Sequence, residues 1–150
     1  MKPQNSMKIE FEARSVNESF ARSALAAFAA QLDPTIDELC DIKTAVSEAV
    51  TNSIVHAYPD KMGKVYISAA IYPDRRLTIK IRDTGCGIED INRAMQPLFT
   101  TGAADERSGL GFSVMQSLMD KVKVRSKQGG PTTVTLEKKL NSKGDNNACL

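Results

Sequence analysis

The stretch Glu48-Ala-Val-Thr-Asn52-Ser-Ile-Val-His56 decides how the rest of the chain is read. Glu48, Asn52 and His56 stand at i, i+4 and i+8, so on a helix they form one polar stripe. Around them Ile36, Leu39, Ile42, Val46, Val50, Ile54 and Ala57 recur at helical intervals and are expected to face inward. Thr35-x-x-Glu38 has the form of a capping box, so the helix is predicted to open there and run to about Ala57. A carboxylate on such a stripe can accept a proton, and an amide oxygen one turn later can ligate Mg²⁺. By itself the stripe fits a solvated polar face better than a catalytic one. The sequence sets no acid or nucleophile at catalytic spacing from His56, which is expected to be a packing or hydrogen-bonding residue rather than a catalyst.

Upstream of that helix, Lys8 to Ala13 alternates apolar and polar residues and predicts a strand. Ser15-Val-Asn-Glu18 predicts a second capping box, opening a helix with Val16, Phe20, Ala21, Ala24, Leu25, Phe28 and Leu32 on its apolar face. Asp33-Pro34 ends it. Downstream, Lys64 to Ile71 and Arg76 to Arg82 predict two strands joined at Tyr72-Pro-Asp-Arg75. Glycine and polar residues fill Asp83 to Ser108, with a short helix expected near Glu89 to Met95. A further helix is expected from about Gly109, carrying Phe112, Met115, Leu118 and Met119, followed by strands Lys121 to Ser126 and Thr132 to Lys138. The hairpins imply an α+β fold: a two-layer sandwich with a mixed, mostly antiparallel sheet and helices on one face. Residues 1–140 are expected to form one domain and 141–150 a polar, frayed tail.

Composition narrows the function. A chain of 150 residues, 41% apolar and 25% charged, fits one globular domain with a real core. A net charge of +2 gives no argument for nucleic acid or a membrane surface. No apolar run approaches a membrane span, and Met1 to Ile9 lacks a signal-peptide core. Cys40, Cys86 and Cys149 are scattered and not in metal-ligand spacing, so a reduced, cytoplasmic setting is expected.

Three further segments carry chemistry. Asp83-Thr-Gly85-Cys-Gly87 directly follows a strand, and its glycines allow positive φ and close backbone approach. Asp83 could accept a hydrogen bond from an exocyclic amine such as that of adenine, although an ordinary Asp-Gly turn would read the same way. Pro97 to Arg107 is long and polar, as expected of a lid, with Thr100 and Thr101 offering hydroxyls and Arg107 a fixed positive charge for a terminal phosphate. Ser108-Gly109-Leu-Gly111-Phe112 stands at a helix start, where free N–H groups favour an anion. It is neither a Walker A loop nor a dinucleotide fingerprint.

In this order the segments resemble the nucleotide-binding boxes of the ATPase superfamily shared by DNA gyrase, a heat-shock chaperone, the histidine kinases and the MutL mismatch-repair protein. Glu48-x-x-x-Asn52 resembles its N box, Asp83-x-Gly85-x-Gly87 its first glycine box and Gly109-x-Gly111 its second. Within it, Phe11 to Leu136 resembles the anti-sigma F family of serine kinases of endospore-forming bacteria. The strings that carry this are Ala13-Arg-Ser, Asn17-Glu-Ser-Phe-Ala-Arg22, Ala30-Gln-Leu-Asp-Pro34, Val46-Ser-Glu-Ala-Val-Thr-Asn52, Gln96-Pro-Leu-Phe-Thr-Thr101 and Glu106-Arg-Ser-Gly-Leu-Gly-Phe112.

The resemblance implies a Bergerat-type sandwich holding Mg-ATP, and a homodimer that inhibits a sporulation sigma factor, sigma F, while phosphorylating a serine of an anti-anti-sigma factor. It implies Glu48 as catalytic base, Asn52 as Mg²⁺ ligand and Asp83 at adenine. Thr100, Thr101, Ser108 and the Gly109 and Gly111 backbone would meet the phosphates, with Arg107 on the γ-phosphate. The last box of the superfamily reads Gly-Thr, but here Pro131 precedes Thr132 and its nitrogen cannot donate. The Thr132 hydroxyl is therefore expected to support Asp83. Arg22, outside every box, is assigned to a partner surface. Rival readings are a histidine-kinase catalytic domain acting in trans, an ATP-hydrolysing clamp, and a nucleotide-switched binding module without kinase activity.

Overall fold

A computed structural model describes residues 1–58, 62–88, 95 and 111–141. The helix expected near Glu89 to Met95, the lid residues Thr100, Thr101, Arg107 and Ser108, the glycine Gly109 and the tail from 142 onward lie outside the described residues, Met95 alone excepted.

The elements run β1 (Asn5–Glu12), α1 (Asn17–Ala29), a 3₁₀ turn (Ala30–Leu32), α2 (Ile36–His56), β2 (Lys64–Ile71), β3 (Arg76–Asp83), α3 (Gly111–Leu118), β4 (Lys121–Ser126) and β5 (Thr132–Lys139). The strands form one sheet in the order β1-β2-β3-β5-β4 with every pair antiparallel, which sharpens the expectation of a mixed sheet. One face is covered: α2 packs against β2, β3 and β5, and α1 and α3 pack against α2. On the other face Lys80 and Arg82 are exposed. The fold is the α+β two-layer sandwich expected.

The register lines the inward side chains into rows across the sheet, because side chains alternate faces along each strand. Met7, Ala69, Ile79, Leu136 and Val122 form one row; Ile9, Ile67, Ile81, Val134 and Val124 form the next. From above, α2 lowers Ile42, Ala45, Val46, Ala49 and Val50 onto them, all fully buried.

The α2 start is as predicted. Thr35 Oγ1 accepts from the Glu38 N–H at 3.0 Å, and Glu38 Oε1 accepts from the Thr35 N–H at 2.9 Å. Such a cap contributes on the order of 1 kcal/mol. Glu38 Oε2 also accepts from Asn141 N at 2.9 Å, fastening the helix start to the end of β5.

The α1 start is not as predicted. Val16 is the N-cap and already helical at φ −64° and ψ −23°, with no side-chain cap bond. Glu18 does not close a box with Ser15, because its carboxylate accepts from the Ser47 hydroxyl on α2. The apolar face is also narrower. Ala21, Leu25, Phe28 and Leu32 are buried, but Val16 and Phe20 are exposed, Phe20 resting edge-on against Phe11 at 6.1 Å. Ile36, expected inward, is exposed because it occupies the first helical position, away from the sheet. β1 begins three residues earlier than predicted, pairing Asn5 with Ile71 along an edge where burial leaves no apolar signal. Among the described residues, no helix is long and apolar enough to cross a membrane.

Candidate functional site

The third inward row across the sheet breaks the apolar pattern. Phe11 and Val65 are followed by Asp83, Thr132 and Ser126 in direct register. Asp83 is 3% exposed, so its carboxylate is costly to bury without donors. It has them. Ser53 on α2 donates to Oδ2 at 3.1 Å, the Gly85 N–H donates to Oδ1 at 3.1 Å, and the Thr132 backbone N–H adds a third contact. Burial nevertheless pushes the Asp83 carboxyl above the ordinary carboxylate range, against the pull of these donors and of Arg82.

The Thr132 hydroxyl does not serve Asp83, contrary to expectation. It shares a 2.6 Å hydrogen bond with Ser126 Oγ, which in turn accepts from the Ile88 N–H at 2.7 Å. The strand pairing turns the hydroxyl toward the neighbouring strand, leaving the Thr132 N–H for the carboxylate. Pro131 therefore removes a donor one residue before the one Asp83 uses.

The glycines after Asp83 are required by close packing. A Cβ on Gly85 would lie 2.1 Å from the Ala57 carbonyl oxygen, and one on Gly87 would lie 2.0 Å from the Lys127 oxygen. Gly87 also has φ +74°, a left-handed conformation that side chains disfavour. The loop is thus wedged between the end of α2 and the β4–β5 turn. Backbone bonds from Cys86 N to Ala57 O (2.9 Å) and from Gly129 N to Cys86 O (2.7 Å) hold it there. Tyr58 adds a second tie, its hydroxyl donating to Lys64 O at 2.7 Å and accepting from the Thr84 N–H at 2.8 Å.

The polar stripe of α2 meets the start of α3. A Cβ on Gly111 would lie 3.0 Å from Asn52 Nδ2, 3.3 Å from Asn52 Oδ1 and 3.4 Å from Glu48 Oε2. Glu48 and Asn52 are half-buried rather than a solvated face. Asn52 Nδ2 is buried and finds no hydrogen-bond partner among the described residues, an expensive arrangement unless a ligand completes it. His56 sits in the last turn of α2, half-buried, its carbonyl 3.2 Å from Cys86 Sγ.

The structure therefore brings together Glu48, Asn52 and Gly111 at one end and Asp83, Gly85, Gly87 and Thr132 at the other, with α2 spanning both. Arg22 stands apart on α1, 3.8 Å from Glu18. Sequence reasoning missed Ser53 and Ser126. Both had a signal: Ser53 continues the inward spacing of Val46, Ala49 and Val50, and Ser126 that of Val122 and Val124, so each is a polar residue at a core position. Among the described residues, no group of three or more His, Cys, Asp or Glu could hold a metal. The Asn52 side-chain oxygen, 3.3 Å from where a Cβ on Gly111 would stand, is of the kind Mg²⁺ takes, and an ion held there would draw most of its ligands from phosphate and water.

Comparison with known proteins agrees with this geometry. Residues 9–138 match the histidine kinase-like ATPase domain. The anti-sigma F factor of Caldanaerobacter subterraneus subsp. tengcongensis is 56% identical over 138 residues, covering 92% of this chain and 96% of that protein. That of Clostridium kluyveri is 55% identical over 138 residues, with the same coverage. In structure, the chain resembles the RsbU and RsbW domains of a Mycobacterium tuberculosis protein, with a TM-score of 0.67 at 20% identity, covering 92% of this chain and 32% of that one. It also resembles the histidine kinase domain of a blue-light activated kinase from Erythrobacter litoralis, with a TM-score of 0.55 at 20% identity, covering 82% and 60%.

Proposed function

This chain belongs to the histidine kinase-like ATPase family and, within it, to the anti-sigma F factors, and we propose that it inhibits a sporulation sigma factor and phosphorylates a serine of an anti-anti-sigma factor. The observation that carries the kinase reading is the approach of Gly111 to Asn52 and Glu48, which sets a carboxylate and an unsatisfied amide beside a helix N-terminus. Adenine and phosphate binding alone would require no carboxylate there.

In this reading ATP lies along α2. Asp83 accepts from the adenine amine, and Ser53, Gly85 and Thr132 hold its carboxylate in place. Asn52 would hold Mg²⁺, which would supply charge neutralisation on the phosphates. The Gly109 and Gly111 backbone N–H groups would donate to phosphate oxygens, with Thr100, Thr101 and Ser108 also at the phosphates and Arg107 on the γ-phosphate. The serine oxygen attacks the γ-phosphorus as the bond to the bridging oxygen of ADP breaks, and Glu48 takes the serine proton. Resemblance supports a homodimer acting in the cytoplasm.

The test is incubation with γ-labelled ATP and an anti-anti-sigma protein, followed by identification of the labelled residue. Acid-stable label on one serine is expected. Label on a histidine would move the reading to a histidine kinase, and bound ATP without transfer would leave only a nucleotide-switched binder. Direct titration of a sigma factor tests the inhibitory half; no binding with either ATP or ADP would remove it.

A further inference from the structure

Outside every nucleotide box, β5 carries a lysine at an inward position. Thr132, Val134 and Leu136 point into the sandwich, and Lys138 stands two residues further along the same face. Its side chain is only 12% exposed. Nζ donates to the Leu118 carbonyl at 2.7 Å and lies 3.5 Å from Asp41 Oδ2 on α2.

Leu118 is the last residue of α3, and its carbonyl is among those that a helix leaves without an internal partner. A cation there satisfies the oxygen and opposes the negative end of the helix dipole. The described part of α3, Gly111–Leu118, is short, and helices of this kind depend on tertiary contacts for most of their stability. Phe112, Met115 and Met119 anchor it in the core, and the Lys138 bond adds a directional contact at its last turn. Its axial position matters because its other end is Gly111, seated against Asn52 and Glu48. Asp41 and Glu48 are seven residues apart and share one side of α2. The same side of α2 thus receives both ends of α3: Glu48 and Asn52 at the start, Asp41 through Lys138 at the finish.

We propose that Lys138 is a positioning residue for the nucleotide site: by tying the C-terminal end of α3 to Asp41, it holds the glycine end against Glu48 and Asn52. This rests on the nucleotide reading above. The strand β5 then acts at both ends of the site, through Thr132 at Asp83 and through Lys138 at α3.

The test uses the full chain with Lys138→Met and Lys138→Arg. Without nucleotide, the amides of Met115 to Met119 should exchange about tenfold faster in K138M than in the wild type, as expected for a locally loosened helix. Mg-ATP affinity should fall about five- to tenfold, somewhat less than the full loss of one charged hydrogen bond because Lys138 acts on the site only through α3. K138R, which keeps the charge and the donor, should recover most of both. If exchange is unchanged, or is faster while ATP affinity stays at the wild-type value, the proposal is overturned. It is also overturned if K138R is as impaired as K138M in both readouts. A wild-type protein that binds no Mg-ATP overturns the nucleotide reading and this inference together. Wild-type binding that is weakened by Asp83→Asn but untouched by K138M overturns this inference alone.

Discussion

Replacing Gly111 with alanine tests the placement of Glu48 and Asn52 with the smallest change available. The backbone at 111 is not left-handed, so alanine brings no conformational strain. Alanine favours a helix interior over glycine by up to about 1 kcal/mol, and by less in a first turn. Against this, the new Cβ would stand 3.0 Å from Asn52 Nδ2, closer than such contacts usually come, while 3.4 Å to Glu48 Oε2 is ordinary. Asn52 must therefore yield by a few tenths of an ångström, at a cost of about 0.5–1.5 kcal/mol if it leaves its rotamer. The two terms nearly cancel, so the nucleotide-free melting temperature should move by no more than about 3 °C.

Activity should not be spared in the same way. A misplacement of about 1 Å at a reacting group can cost on the order of 10²-fold, so a shift of a few tenths should lower transfer from ATP by roughly three- to tenfold. A double-mutant cycle in stability isolates the contact. Once Asn52→Ala has removed the amide, Gly111→Ala should cost nothing and should stabilise slightly, giving a coupling of about 0.5–1.5 kcal/mol. The assays are thermal unfolding without nucleotide and initial rates of phosphate transfer. Normal transfer by G111A, together with additive stabilities, would refute the placement of Asn52 beside the start of α3.

Three further outcomes are expected. Glu48→Gln should keep ATP affinity within about twofold and slow transfer by about 10² or more, the usual loss for a general base; an unchanged rate removes Glu48 as the base. Asp83, held above the ordinary carboxylate range by burial, contributes stability at acid pH that is lost as pH rises through its raised pKa. In urea unfolding of nucleotide-free protein from about pH 4 to about pH 7, the wild type should therefore lose stability relative to Asp83→Asn as pH rises; a difference that stays flat or rises would contradict the direction of the shift. Gly87→Ala combines a left-handed φ of +74° with a Cβ 2.0 Å from the Lys127 oxygen and should destabilise by about 2 kcal/mol or more, a drop in melting temperature that a tolerated turn would not show.

The sequence was legible where burial and local bonding agree. The α2 capping box, the alternation of β3 and the apolar stripe through Ile42, Val46 and Val50 are all present as read. It was not legible where a tertiary partner outbids a local one. Glu18 had the spacing to cap α1, but Ser47 on another helix takes its carboxylate. The early residues of β1 carried no apolar signal because an edge strand can be held by backbone pairing alone. In the site, Glu48, Asn52 and Asp83 were visible by residue type and spacing. Ser53 and Ser126 stood at inward positions by spacing, but their partners, Asp83 for one and Thr132 for the other, come from other elements and show only in the register.

That register explains how the polar residues of the proposed site are placed without disturbing the fold. Every strand keeps its alternation to the end, so Asp83, Thr132 and Ser126 occupy core positions geometrically while differing from the core chemically. A buried carboxylate would normally destabilise such a row by several kcal/mol, but Ser53, Gly85 and Thr132 supply donors from three different elements. Those donors stay aimed at Asp83 only if α2, the loop after β3 and β5 keep their relative positions. The wedged glycines and the Tyr58 ties serve that end. The same helix that sends Ser53 down to Asp83 sends Glu48 and Asn52 across to Gly111. Any shift of α2 along its axis would therefore disturb both groups of contacts at once. This is why the capping box at Thr35, about six turns from His56, bears on the proposed site as well as on the fold.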